Sequence, residues 1–144
     1  MHRLSLSAAS LMSLAGIGVV AFAMIGSPAK LCAAPATPKP ATVSFSEDIL
    51  PLLQWRCASC HQPGGQGYEA SGLDLTSYAG LMKGTKFGAM VVPGDPTVSN
   101  LMVILDWPGH LSPKIRMPHD KSRRLSICDR DMLRTWIKEG ARDN

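Results

Sequence analysis

Two thiols and an imidazole stand together in Cys57-Ala58-Ser59-Cys60-His61. Cysteines one helical turn apart can add to the two vinyl groups of a haem as thioethers, and the adjacent histidine then reaches the iron. Two other chemistries use a Cys-x-x-Cys pair. A thioredoxin-like redox pair sits at a helix start after a βαβ pattern, whereas this one follows a helical segment and no β-rich core is evident. A structural zinc site needs a second ligand pair at similar spacing, and Cys128 belongs to no such pair. The motif therefore reads as the attachment site of one covalently bound haem c, with Cys57 and Cys60 as thioether residues and His61 on one face of the iron.

For the opposite face the chain offers Met82, Met90, Met102, Met117, His110 and His119, or no ligand at all. Met117 has the best position. It lies in Arg116-Met117-Pro118, an irregular stretch before the last predicted helix, where a loop can carry a side chain across a haem without disturbing helix packing. Met82 and Met102 fall on helical positions and Met90 lies beside Val91-Val92, so all three are better explained as core. His110 and His119 are expected to be exposed loop residues. A neutral thioether favours ferrous iron and raises the potential relative to two histidines.

The elements around these residues are helical by pattern. Ile49, Leu52, Leu53 and Cys57 follow a period near 3.6, which predicts a helix from about Asp48 or Ile49 onward. Ser46, Glu47 and Asp48 suit its start, and Pro51 is tolerated in its first turn. Residues 62–72, with four glycines, are predicted to loop around the haem edge. Thr76 can cap a short helix running through Leu81. The turn Pro93-Gly94-Asp95-Pro96 predicts a helix with Pro96 at its first position, burying Val98, Leu101, Met102 and Leu105. Trp107-Pro108-Gly109 and Ser112-Pro113 break the chain into a second long loop. The last helix, Ser126 to Glu139, has a capping box in Ser126 and Asp129, an apolar face in Leu133, Trp136 and Ile137, and Gly140 as its stop. The expected architecture is a small all-α domain around the haem, with N- and C-terminal helices crossing beside it. A core of this size needs the haem as part of its interior.

The first third of the chain has a different character. Residues 1–34 read as a secretory signal peptide, because His2 and Arg3 precede an uncharged run from Leu11 to Ile25. That run is shorter than the ~20 residues of a membrane-crossing helix, so cleavage near Leu31-Cys32-Ala33-Ala34 is preferred to an uncleaved anchor. Leu31 directly before Cys32 speaks against lipidation. Residues 35–43 form a Pro-rich linker, and 44–144 the folded domain. Export agrees with the haem motif, because c-type haem is attached outside the bacterial cytoplasm, and it makes the expected location periplasmic. There Cys128 is the odd cysteine, expected to be buried as a small apolar residue of the last helix unless Cys32 survives to bond with it.

The formal charge is +4, and loss of Arg3 and Lys30 with the leader leaves 13 basic against 11 acidic residues, a net +2. No basic run interleaved with aromatics points to nucleic acid. Basic residues do gather between Lys83 and Arg124, where Lys86, Lys114, Arg116, Lys121 and Arg123 also lie, against Asp95, Asp106 and Asp120. Such a collar suits an acidic redox partner protein. No spacing identifies paired carboxylates, a Ser-His-Asp set or a phosphate loop, so no enzyme activity is expected. The competing functions are a haem enzyme or gas sensor with an open or weakly held sixth site, and a haem subunit docked on a larger oxidoreductase.

From Phe45 to Ala141 the chain resembles the class I cytochrome c domains called planctomycete-type cytochrome c. The shared motifs are Phe45 with Asp48-Ile49-Leu50-Pro51, the Cys57 to His61 motif, Gly72-Leu73-Asp74-Leu75 and Val92-Pro93-Gly94-Asp95-Pro96. Arg116-Met117-Pro118, Leu125-Ser126 and the run from Leu133 to Ala141 complete them. The resemblance implies one-electron carriage by a periplasmic haem and an axial methionine at Met117, the residue favoured by position. His119 stands where the family often has a second proline.

Overall fold

In the computed structural model, which describes residues 42–119 and 124–144, helical structure begins slightly earlier than the apolar period predicts. A single π-helical turn, Phe45–Ile49, runs into α1, Leu50–Arg56. Its cap is Ser44. The Ser44 hydroxyl accepts from the Glu47 amide at 3.2 Å, while the Ser44 amide donates to the Asp48 carboxylate at 2.8 Å. Pro51 falls in the first turn of α1, where its missing N–H leaves no hydrogen bond unmade.

The remaining helices are α2, Gln66–Ser71, α3, Tyr78–Lys83, α4, Asn100–Asp106, and α5, Ile127–Lys138. No strand occurs among the described residues, and the fold is all-α as expected. Residues 62–72 are not the irregular loop that their glycines suggest, because α2 occupies the second half. Gly65 is its N-cap, and Gly72 closes it in the left-handed region at φ 76°. Gly65 and Gly72 are caps, and Gly65 and Gly67 are points of close approach.

Local hydrogen bonding moves two other boundaries. Ser77, not Thr76, caps α3, its hydroxyl accepting from the Gly80 amide at 3.1 Å. Thr76 is drawn away because its amide and hydroxyl both donate to the Asp74 carboxylate, at 2.9 and 2.6 Å. Likewise α4 starts at Asn100 and not at Pro96. The Asp95 carboxylate accepts from the Thr97 amide and hydroxyl and from the Val98 amide, which holds this stretch as a turn. Val98 is consequently turned outward and 56% exposed, contrary to expectation, while Leu101, Met102 and Leu105 are buried. Beneath the turn, the buried Ser99 hydroxyl donates to the Asp95 carbonyl and accepts from the Val92 amide.

The last helix forms as its sequence predicts. Ser126 and Asp129 exchange both bonds of the capping box, and Gly140 ends the helix at φ 102°. Its buried face, Leu133, Trp136 and Ile137, meets the N-terminal segment at the π-helical turn and also packs on α4. Phe45, Tyr78 and Trp136 form an aromatic cluster there, with ring centroids 5.1 to 6.5 Å apart. The chain end closes over it. Tyr78 Oη donates to the Ala141 carbonyl, and the Ser46 amide donates to the Asn144 carbonyl, both at 2.9 Å.

Cys128 departs from its expected role. It lies in the first turn of α5, away from the Leu133, Trp136 and Ile137 face, and is half-buried and disulfide-bonded, not a buried thiol. Residues 1–34, including Cys32, and residues 35–41 of the linker lie outside the described residues, as do Lys121 and Arg123. No described helix is long and apolar enough to cross a membrane.

Candidate functional site

The last turn of α1 delivers the cysteines. The amides of Cys57 and Ala58 both donate to the Leu53 carbonyl, at 2.8 and 2.9 Å, and the Cys57 carbonyl accepts from the Cys60 and His61 amides at 3.1 and 3.0 Å. The chain thus passes from the end of α1 into hydrogen-bonded turns that carry both cysteines and His61. Ala58 is buried and ties the turn to the core.

Both thiols are free, Cys57 half-buried against the core and Cys60 exposed. Burial pushes the Cys57 thiol up to about 11, opposed by the charge of Arg56 and reinforced by Cys60. A redox dithiol needs the opposite shift, since its attacking sulfur must be a thiolate near neutral pH. No group of three His, Cys, Asp or Glu side chains converges among the described residues to hold a bare metal ion.

His61 is fixed from several sides. Its carbonyl accepts from the Leu75 amide at 2.8 Å, and the preceding Cys60 carbonyl accepts from the Tyr68 amide of α2 at 3.0 Å. The imidazole lies flat against the backbone of α2 at Gly67, where an added Cβ would fall 2.7 to 2.9 Å from three ring atoms. At Gly65 a Cβ would collide with the Cys60 carbonyl. These two glycines are the functional residues that sequence reading assigned to a flexible loop. They are needed because α2 is pressed onto the motif.

Burial lowers the His61 pKa below the ordinary imidazole value, the Leu73 backbone opposes the shift, and the charge of His119 adds to it. Its Nδ1 is buried without a hydrogen-bond partner. A half-buried imidazole with an unpartnered Nδ1, following two free thiols, fits the covalent haem and iron that the motif implies. Gly67→Ala is accordingly expected to displace the His61 ring and lower the haem-to-protein ratio of purified material severalfold. Gly109→Ala, where an added Cβ meets nothing within 4 Å, should leave that ratio unchanged. Equal ratios in the two variants would show that α2 gives way without disturbing the motif.

Met117 is held through both its backbone amide and its backbone carbonyl. Its amide donates to the Ile104 carbonyl of α4 at 3.1 Å, and its carbonyl accepts from the Trp107 indole at 2.6 Å. The side chain is half-buried against the core, and the bond to Pro118 is cis. Arg116 folds back onto its own loop, donating to the carbonyls of Leu111, Pro108 and Gly109. His119 is exposed, and its influence on His61 brings the 116–119 loop within electrostatic reach of that imidazole.

The other candidates are placed elsewhere. Met90 and Met102 are core residues, Met82 packs half-buried against the core, and His110 is exposed. A cavity of about 380 Å³ is lined by Met102, Asp106, His110 and Arg134 among others, and by none of Cys57, Cys60, His61 or Met117. A smaller one of about 110 Å³ lies between Trp107, Pro113, Arg116, Pro118 and His119.

Residues 57–118 match a family described as Planctomycete cytochrome C. The matched stretch runs from the first thiol of the motif to the proline after Met117. No curated protein and no solved structure matches the chain.

Proposed function

We propose that this chain, whose residues 57–118 match a family described as Planctomycete cytochrome C, is an exported, periplasmic one-electron carrier. Its single haem c is joined to Cys57 and Cys60, and its iron is held by His61 and Met117. The observation that carries this reading is the family match over residues 57–118, which spans the half-buried His61 beside two free thiols and the Met117 loop held by Ile104 and Trp107.

When bound, the haem supplies an iron that alternates between the ferric and ferrous states. The chain's residues do the rest. Cys57 and Cys60 anchor the group, α2 and the residues after it orient His61, and the bonds to Ile104 and Trp107 orient Met117. With His61 and Met117 both holding the iron, no open position would remain for a substrate, which favours carriage over catalysis. A thioether from Met117 together with the His61 imidazole would favour the ferrous state over what two histidines would give.

A second reading follows from His119, whose charge reaches His61. Here the sixth position is held weakly or shared by His119, and the protein binds gases or peroxide. Spectra of the ferric and ferrous protein, with and without carbon monoxide, separate the two. A far-red thioether band and slow or absent carbon monoxide binding support the carrier. Ready binding by the unaltered ferrous protein supports the alternative.

The partner we propose is an acidic redox protein. Lys83, Lys86 and Lys114 are exposed and Arg124 is exposed near the Met117 loop, whereas Arg116 is engaged with its own backbone. Attraction of this kind speeds encounter and is screened over ~8–10 Å at physiological salt. The second-order electron-transfer rate with an acidic partner is expected to fall as ionic strength rises, and to fall less after charge reversal at Lys114, Lys121 and Arg123. A rate indifferent to both salt and these substitutions would leave the collar as ordinary solvated surface.

A further inference from the structure

Trp107 follows α4 at φ 57° and ψ 53°, a left-handed conformation that glycine or asparagine adopts readily and a bulky side chain does not. The conformation aims its indole at the loop ten residues ahead, where Nε1 lies 2.6 Å from the Met117 carbonyl oxygen. Arg124 then lies over the same indole, its guanidinium carbon 4.8 Å from the ring centroid. One of its nitrogens donates to the carbonyl of Asp106, the last residue of α4, at 3.1 Å. The ring is held between the helix end and the cation.

This arrangement is anchored on both sides. Asp106 is bound by Arg130 and Arg134 of α5, at 3.3 and 2.7 Å, which fixes the end of α4. On the other side Arg56, the residue directly before Cys57, donates to the Arg124 carbonyl at 3.2 Å. A continuous chain of contacts thus runs from the neighbour of Cys57 through Arg56, Arg124 and Trp107 to Met117. It links the two halves of the site through protein alone.

We propose that Trp107, supported by Arg124, is a positioning residue that controls how readily the Met117 side chain leaves the sixth position. The proposal rests on Met117 being the distal ligand. The Met117 amide has its own bond to Ile104, so loss of the indole bond frees the carbonyl end of the peptide without releasing the whole loop. The predicted defect is in ligand retention, with the fold kept.

The test uses the holoprotein and three variants. Trp107→Phe keeps a ring under Arg124 and removes the N–H, and Arg124→Gln removes the cation and keeps most of the side-chain length. Trp136→Phe is the control, because it removes another indole bond, to the Arg142 carbonyl at 2.9 Å, remote from Met117 in sequence. In Trp107→Phe the far-red band of the ferric protein should be lost on warming well before the far-UV helical signal. Ferrous carbon monoxide binding should quicken about fivefold, the effect of one net hydrogen bond. Arg124→Gln should shift both readouts in the same direction by less, and it decides the matter alone if Trp107→Phe does not fold. Trp136→Phe should lower band loss and unfolding together at an unchanged binding rate. If the Trp107 and Arg124 variants behave like that control, the two residues are structural only and the proposal is overturned. If Met117→Ala keeps the far-red band, it is the ligand assignment that fails.

Discussion

Met117→Ala is expected to abolish the far-red thioether band of the ferric protein and to open the ferrous iron to carbon monoxide. The effect should be all-or-none because no other thioether can take over by a small movement. Met90 and Met102 are 7% and 1% exposed, packed into the same core as the helices that would have to separate to release them. Met82 sits on α3 against that core. Loss of the thioether should also lower the reduction potential, since water or a nitrogen ligand stabilises ferrous iron less well. His119 is the residue best placed to rescue the site, being two positions away on the same loop and within electrostatic reach of His61. Comparison of Met117→Ala with the double variant that also carries His119→Ala isolates this. If the single variant resists carbon monoxide and the double does not, His119 has moved in. A far-red band that survives in Met117→Ala would transfer the ligand role to another methionine and remove the basis for the sixth-site reading.

What could be read from the sequence and what could not divides along local and tertiary causes. The haem motif was legible because its five residues are contiguous and their chemistry is set by type and spacing. The last helix was legible for the same reason, as the capping box, the apolar face and the terminating glycine all act within a few residues. Failures occurred where a partner across the fold decides. Gly65 and Gly67 look like loop residues until the Cys60 carbonyl and the His61 ring are seen against them. Thr76 and Pro96 were assigned helix-starting roles that the carboxylates of Asp74 and Asp95 override by binding the neighbouring amides. Trp107 read as part of a helix-breaking Trp-Pro-Gly stretch, and its bond to Met117 depends on a backbone conformation that no pattern announces. Met117 is favoured by position alone, and the two bonds that hold it have no signature in the sequence.

The largest effect on stability is expected at Trp136. The side chain is 1% exposed, between Leu133 and Ile137 on the buried face of α5, with its ring centroid 5.5 Å from that of Phe45 and 6.5 Å from that of Tyr78. Its indole N–H donates to the Arg142 carbonyl at 2.9 Å, and its own carbonyl accepts from the Ala141 amide. Trp136→Ala would therefore leave a void at the place where α5, the N-terminal π-helical turn and α3 meet, and would release the chain end. Truncation of a buried tryptophan typically costs ~3–5 kcal/mol. In a domain of about 100 residues each kcal/mol moves the thermal midpoint by roughly 4–8 °C, so the midpoint should fall by well over 10 °C. The aromatic contact and the hydrogen bond can be separated. Trp136→Phe keeps a six-membered ring in the cluster and loses the N–H with part of the ring volume, so it should cost about 1–3 kcal/mol, less than the full effect. Tyr78→Phe removes the bond to the Ala141 carbonyl and tests the same closure from α3. A thermal midpoint that barely moves in Trp136→Ala would mean that the ends of the domain are held together by something other than this aromatic cluster, with the haem itself the first candidate.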